Sequence, residues 1–297
     1  MEFGHAVRLV DSITTPGGAR PNEDRAGHRG SLAWVIDGAT DLYQDSVLPA
    51  ERDVVWLVDF LSAQLSKRGE AGYRGAGSQL LAELAEAVCQ EQVRHAFPAG
   101  RIPPACSLAI VVDQGDTYDV TRIGDATGIV SGTRLRREAT DFFDRRERGG
   151  VHDQRNGATA DQVREGMLQR RWQTMTGGLP ESVFSGHPDR QLRPHTITGP
   201  WTEVDQILLC TDGFARIVDD YALYRDWQQV LVDARARGLA YLEKRIRERE
   251  RDPASPLPAR FKRSDDIAVV LLVPDSARAT STREGTSGRA SALLDRT

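Results

Sequence analysis

Continuous apolar runs that end on Asp-Gly are the most prominent pattern in this sequence. Ile207–Cys210 is one such run and leads through Thr211 into Asp212-Gly213; Leu32–Ile36 is another and leads into Asp37-Gly38. An apolar run bounded by a turn signal predicts a strand that is buried on both faces. A single Asp-Gly marks an ordinary turn more often than a site, so the interest lies in the repetition.

Two further acidic clusters lie beside predicted strands. Ser264-Asp265-Asp266 precedes the apolar run 267–273, and Asn22-Glu23-Asp24 follows a strand predicted over residues 5–14. Turn chemistry alone does not easily explain four such clusters that are far apart in sequence. They are explained if the strands converge on one cation-binding site.

Apolar positions at helical spacing predict amphipathic helices between the strands. The predicted helices are residues 49–67, 78–97 and 221–251. Three short strands are predicted at residues 107–113, 118–123 and 128–131. Turn signals at 114–116 and 124–126 predict that these strands are joined as hairpins, with Asp125 in the second turn. Runs of strands and runs of helices, rather than strict alternation, indicate an α+β fold with helices packed on sheets.

Residues 134–200 differ in character from the rest of the chain. They are crowded with opposite charges and interrupted by glycines, which predicts a mobile insertion with short helices that could form a lid over a site. We interpret its basic residues as a solvated face balanced by neighbouring acids; among them are Arg145, Arg146, Arg170 and Arg171. Residues 275–297 contain few apolar side chains and predict a disordered tail after a folded domain at 1–274.

Composition narrows the class of protein. With 297 residues, 39% hydrophobic and 28% charged, the chain resembles an ordinary soluble globular protein with room for a sizeable core. The net charge of −4 argues against nucleic acid or an anionic membrane as a partner, and no apolar stretch approaches the roughly 20 residues of a spanning helix. The first ten residues lack the apolar region of a signal peptide. The three cysteines, Cys89, Cys106 and Cys210, match no zinc or disulfide pattern. We therefore expect a cytoplasmic monomer with reduced cysteines.

The acidic clusters favour hard divalent cations. Mg²⁺ and Mn²⁺ take oxygen ligands, usually a few carboxylates and water. Without cations, bringing Glu23, Asp37, Asp212 and Asp265 together would raise their pKa values or cost stability. The alternative, that each acid caps a helix or makes a turn, stays open, and Asp212 could be both an N-cap and a ligand.

Five motifs occur in order within residues 5–273. They are Arg20-Pro21-Asn22-Glu23-Asp24-Arg25, Val35-Ile36-Asp37-Gly38, Ile123-Gly124-Asp125-Ala126, Leu209-Cys210-Thr211-Asp212-Gly213-Phe214 and Ser264-Asp265-Asp266-Ile267-Ala268-Val269. Together they resemble the metal-dependent protein phosphatase family (PPM, type 2C) in its bacterial form. The resemblance implies a four-layer αββα sandwich: two antiparallel sheets flanked by helices, with the metals at one end.

The resemblance also implies roles for individual residues. Asp37 would bridge two Mg²⁺ or Mn²⁺ ions, with Gly38 offering its carbonyl. Glu23 would serve one ion through water, and Asp212 and Asp265 the other. Asp125 is similar to the family's acid for a third, weaker metal, which it would share with Asp212. Arg20 resembles its phosphate-binding arginine.

Two departures from the family pattern concern catalysis. Arg20 lies one residue closer to Glu23 than is usual, which makes Arg25 an alternative phosphate ligand. Ala39 stands where eukaryotic members place a histidine thought to protonate the leaving group, although many bacterial relatives also lack it. The general acid is therefore unassigned; the histidine candidates are His28, His152, His187 and His195.

The leading hypothesis is hydrolysis of phosphoserine and phosphothreonine on proteins by a water molecule activated by two metal ions. The substrate would be a phosphoprotein, for example the product of a serine/threonine kinase. A small phosphoester or nucleotide is the alternative substrate on the same site. A catalytically silent regulatory protein is the alternative from another class, but unpaired buried carboxylates are costly to retain without a ligand.

Overall fold

Two antiparallel sheets form the centre of the protein in a computed structural model that describes residues 7–155, 159–252, 260 and 262–275. The strands are β1 (Val7–Thr15), β2 (Asp24–Arg29), β3 (Leu32–Gly38), β4 (Ala105–Asp113), β5 (Thr117–Ile123), β6 (Thr127–Gly132), β7 (Arg136–Glu138), β8 (Phe184–Ser185), β9 (His195–Pro200), β10 (Val204–Cys210) and β11 (Ile267–Pro274). One sheet has the order β1-β11-β10-β6-β7 and the other β2-β3-β4-β5-β9, with β8 paired to the start of β4.

Helices cover both outer faces of the sheet pair. They are α1 (Asp53–Glu70), α2 (Gly77–Arg94), α3 (Phe142–Arg155), α4 (Ala160–Thr176), α5 (Asp212–Asp219), α6 (Trp227–Arg237) and α7 (Leu239–Arg251). Helices α1 and α2 pack on β3 and β4, and α5 to α7 pack on β10 and β11. None of the helices in the described residues is long and apolar enough to cross a membrane.

The apolar runs arise because the central strands are buried on both faces. In β11, Val270 and Leu272 pack between the two sheets, whereas Val269 and Leu271 pack against the outer helices. Strands β3 and β4 alternate in the same way, with their outer residues against α1 and α2. The resulting order of layers, helices, sheet, sheet, helices, confirms the predicted α+β sandwich.

The second predicted hairpin is wrong. Strand β5 pairs with β4 and β9, whereas β6 pairs with β10 and β7 in the other sheet. Residues 124–126 therefore cross from one sheet to the other instead of closing a hairpin. The turn signal identified the chain reversal, but it does not specify which strand becomes the partner.

The single helix predicted over residues 221–251 is also wrong. Helix α5 ends at Asp219, and α6 and α7 are separated by Gly238, whose φ of +83° ends the helical path. The backbone N–H of Leu239 donates a hydrogen bond to Asp11 in β1 (2.8 Å), which fixes the start of α7.

The predicted insertion at 134–200 is narrower than expected. Its two ends contain β7 and β9, which belong to the two sheets. Between them, α3 and α4 have 14 and 17 residues and are not short helices. Thr159 begins α4 with a capping box in which its hydroxyl accepts from the backbone of Gln162. The predicted tail from residue 276 onward lies outside the described residues.

Candidate active site

A cleft of about 850 Å³ opens at one end of the sandwich, beside α3 and α4. It brings together Arg20 and the six residues that the resemblance assigns to the metals; these six are Glu23, Asp37, Gly38, Asp125, Asp212 and Asp265. Two acids that were quoted in the motifs but given no role, Asp24 and Asp266, also line it. Most of these residues stand at or beside strand ends, because antiparallel strands return repeatedly to the same end of the sandwich.

Strand register places the inner acids. Asp24 and Asp37 are directly opposite each other on β2 and β3, and Asp37 is opposite Ser107 on β4. The Ser107 hydroxyl donates to Asp125 Oδ1 (2.5 Å) and accepts from the Asp125 backbone N–H (3.1 Å). Asp125, in the crossing between the sheets, is thus held beside Asp37.

The first turn of α5 and the start of β11 place the remaining acids. Thr211 is the N-cap of α5, and Asp212 follows it in the first turn, where a negative charge suits the helix dipole. Asp266 accepts backbone N–H bonds from Gly17 and Glu23, each 2.7 Å long. Gly213 is required by packing, because a Cβ there would lie 2.0 Å from the carbonyl oxygen of Asp266.

The inner acids Asp24, Asp37 and Asp125 have no ion pair with a cation among the described residues. Burial, followed by the charges of neighbouring carboxyls, raises the pKa of both Asp24 and Asp37 well above the usual range. Burial and the charge of Asp212 raise the pKa of Asp125 to about 7. One buried oxygen of Asp24, Oδ2, lacks a hydrogen-bond donor in the described part of the chain. Clustered carboxyls of this kind fit a bound divalent cation.

The outer acids are paired with cations of the protein itself. Arg52 and Lys262 approach the two oxygens of Glu23 at 3.2 and 3.7 Å. Lys262 and Arg216 contact the two oxygens of Asp265 at 3.2 and 2.6 Å. Burial would raise the pKa of Asp265, but Arg216 and Lys262 outweigh it and hold that pKa below its usual range.

These ion pairs reduce the number of carboxylate oxygens that are available to a metal ion. In the described ranges, no group of three Asp, Glu, His or Cys side chains is arranged as a ready metal-binding set. Asp24, Asp37 and Asp125 keep carboxylate oxygens that no cation of the described chain contacts, whereas Arg216 and Lys262 contact oxygens of the outer acids.

The two candidate phosphate ligands differ in their surroundings. Arg20 is an exposed residue on the wall of the cleft and makes no hydrogen bond or ion pair with the residues that the structure describes. Arg25 donates to Asp59 and to the backbone carbonyls of Asn22 and Asp24. Arg20 is therefore free to contact a phosphate, whereas Arg25 supports the loop that carries Glu23.

The histidine candidates do not lie in the cleft. The described residues that line it include none of His28, His152, His187 and His195. His187 accepts a bond from the Asp189 backbone N–H and packs against Trp172, and His195 lies 3.5 Å from Glu181. Ala39, which the resemblance sets at the position of the eukaryotic histidine, lines the cleft.

Sequence reasoning missed the basic residues of the site. The solvated-face interpretation is wrong for Arg146, Arg170 and Arg171, which line the cleft and are half-buried. Arg171 donates to the carbonyl of Thr40 (2.9 Å), and burial lowers its pKa. A run of charged residues does not indicate which arginine faces the cleft. For Arg216 a signal was available, because its spacing of four residues from Asp212 permits an ion pair on one face of a helix.

Comparisons with known proteins agree with this fold and acid cluster. The family profile described as Protein phosphatase 2C matches residues 19–248. The chain therefore belongs to the protein phosphatase 2C family and is a phosphoprotein phosphatase. No curated protein matches the chain.

Solved structures of bacterial phosphatases share the fold at low identity. The serine/threonine phosphatase PstP/Ppp of Mycobacterium tuberculosis is 17% identical with a TM-score of 0.51, over 90% of this chain and 98% of that one. Stp1 from Staphylococcus aureus is 15% identical with a TM-score of 0.53, over 93% and 98%. The catalytic domain of PstP in complex with two manganese ions is 16% identical with a TM-score of 0.54, over 90% and 98%.

Proposed function

We propose that this protein hydrolyses phosphoserine and phosphothreonine on protein substrates, in the cleft at the end of the sandwich, with two Mg²⁺ or Mn²⁺ ions. The observation that carries the proposal is the convergence of Asp24, Asp37 and Asp125, without counter-cations in the described chain, next to the unpaired Arg20. Three buried or half-buried acids with raised pKa values need positive charge to ionise together.

We assign the cations to the residues as follows. Asp37 and Glu23, with the Gly38 carbonyl, would hold one ion, and Asp37, Asp212 and Asp265 would hold the other. Asp125 would serve a third, weaker ion together with Asp212. Bound there, cations would neutralise charge on the phosphoryl group and lower the pKa of water.

The remaining residues of the chain bind and orient the phosphate. The Arg20 guanidinium can donate two parallel N–H bonds to phosphate oxygens, a geometry that lysine cannot match. Because no histidine among the described residues lines the cleft, we assign protonation of the departing serine or threonine oxygen to water.

The test is release of inorganic phosphate from a phosphothreonine peptide by the metal-free protein, before and after addition of Mn²⁺ or Mg²⁺. Activity should require the cation and be abolished by excess EDTA. The same assay with p-nitrophenyl phosphate and with nucleotides separates a protein phosphatase from a small-phosphoester phosphatase. Full activity in EDTA after dialysis would refute the metal assignment, and turnover of nucleotides but not of peptide would refute the substrate class.

A further inference from the structure

The guanidinium of Arg216 occupies a buried position between two of the acids proposed as metal ligands. Arg216 lies one helical turn after Asp212 on α5, and its side chain is only 2% exposed. Its Nη2 atom lies 2.6 Å from Asp265 Oδ2 and 3.3 Å from Asp212 Oδ2. One nitrogen therefore bridges an oxygen from each of the two acids.

The oxygens that Arg216 holds belong to two side chains on the cleft wall. Asp212 and Asp265 both line the cleft, and neither is fully buried. A carboxylate oxygen that accepts a short charge-assisted bond has less electron density for a metal ion. A guanidinium that contacts these oxygens would also repel a divalent cation bound to the same carboxylates. The inner acids Asp24, Asp37 and Asp125 have no such cation among the described residues.

We propose that Arg216 is a resident counter-ion that competes with a divalent cation for Asp212 and Asp265. Metal loading at these two acids requires the guanidinium to move away from them, whereas loading at Glu23 and Asp37 does not. The protein therefore binds a first cation more tightly than a second, and Arg216 determines the difference between the two affinities. This inference rests on the proposed function only in requiring that the cleft takes divalent cations.

The test is calorimetric titration of the metal-free full-length protein with MnCl₂, comparing wild type with Arg216→Gln. The substitution removes the charge and keeps a polar side chain. The weaker binding event should tighten by about tenfold or more, because both repulsion and competition are removed. The tighter event, at Glu23 and Asp37, should change much less.

Arg101→Gln is the matched control. Arg101 also bridges two aspartates, Asp45 at 2.8 Å and Asp53 at 3.0 Å, but it does not line the cleft. Its loss should lower the melting temperature without changing the affinity for Mn²⁺. An equal change in affinity in both variants would show a general charge effect and overturn the inference.

Arg216→Gln leaves Asp265 with only Lys262 and Asp212 with only the more distant Arg260 as cationic neighbours, so the metal-free variant can be too unstable to titrate. Arg216→Lys retains the charge on a shorter side chain, whose ammonium does not reach the position of Nη2 between the two carboxylates. It should bind the second Mn²⁺ more tightly than wild type does. A weak event that is unchanged or weaker in a folded variant would overturn the inference while leaving metal-dependent peptide dephosphorylation intact. Absence of any Mn²⁺ binding by wild type would overturn both proposals.

Discussion

Alanine substitutions at Arg20 and Arg25 should separate phosphate binding from structural support. Arg20 stands on the cleft wall and has no partner among the described residues, so removing it should cost the fold little. A charge-assisted contact to phosphate contributes about 1.5–3 kcal/mol, which corresponds to roughly a 10- to 150-fold loss in kcat/KM. Since the contact is made in both the ground state and the transition state, KM should rise.

Arg25 should show the opposite behaviour. Its Nε lies 2.7 Å from Asp59, and its Nη1 lies 2.8 and 2.7 Å from the carbonyl oxygens of Asn22 and Asp24. A partly exposed ion pair contributes about 0.2–1 kcal/mol and each backbone bond about 0.5–1.5 kcal/mol. Arg25→Ala should therefore lower the free energy of unfolding by about 1–4 kcal/mol and leave the turnover of the folded fraction nearly unchanged.

Both variants can be compared by p-nitrophenyl phosphate kinetics at fixed Mn²⁺ and by urea unfolding followed by circular dichroism. The small substrate matters because it has no peptide to compensate for a lost phosphate contact. If Arg25→Ala instead loses kcat/KM while remaining fully stable, and Arg20→Ala is silent, then Arg25 is the phosphate ligand. The assignment of Arg20 from its place in the cleft would then be refuted.

Three further perturbations test the acid cluster. Asp37→Asn should reduce phosphate release by more than a hundredfold, while the melting temperature in EDTA should stay the same or rise because repulsion is relieved; a variant with wild-type turnover would contradict the role of Asp37. The melting temperature of the metal-free protein should fall as pH rises from about 5 to 8. Folding raises the pKa of Asp125 from 3.8 to about 7, so the folded state binds more protons than the unfolded state in this range. Asp125→Asn should flatten this pH dependence, and so should added Mn²⁺. Gly213→Ala should destabilise the protein by about 1–3 kcal/mol in urea unfolding, because its Cβ would collide with the Asp266 carbonyl. Gly18→Ala, whose Cβ meets nothing within 4 Å, should be neutral.

The sequence predicts the strands that are buried on both faces and much less of the rest. Strands β3, β4, β10 and β11 carry apolar residues at nearly every position, so pattern alone defines them. Strand β2 reads Asp24-Arg-Ala-Gly-His-Arg29 and has almost no apolar signal. It forms because its backbone pairs with β3. Pairing of this kind cannot be predicted from the hydrophobicity of the local sequence.

The acids of the site were predictable, whereas their cationic partners were not. The pattern of an apolar run followed by Asp-Gly occurs more than once, and each occurrence can be recognised from its local sequence alone. The contact between Arg216 and Asp265 joins residues 49 positions apart, and nothing in either local sequence indicates the other. For the same reason, local sequence does not predict that arginines of α3 and α4 line the cleft.

The carboxylate of Asp266 joins the two ends of the folded chain, and this has a consequence for biosynthesis. It holds the backbone of Gly17 and of Glu23, which precede it by 249 and 243 residues. On the ribosome, the first strands emerge long before the segment that fixes Glu23 and before β11, which separates β1 from β10 in the sheet. Pairings of such long sequence separation form slowly. A nascent chain halted before Asp266 should therefore be unable to assemble the acid cluster, and phosphatase activity should appear only after the segment with Asp266 and β11 has been translated.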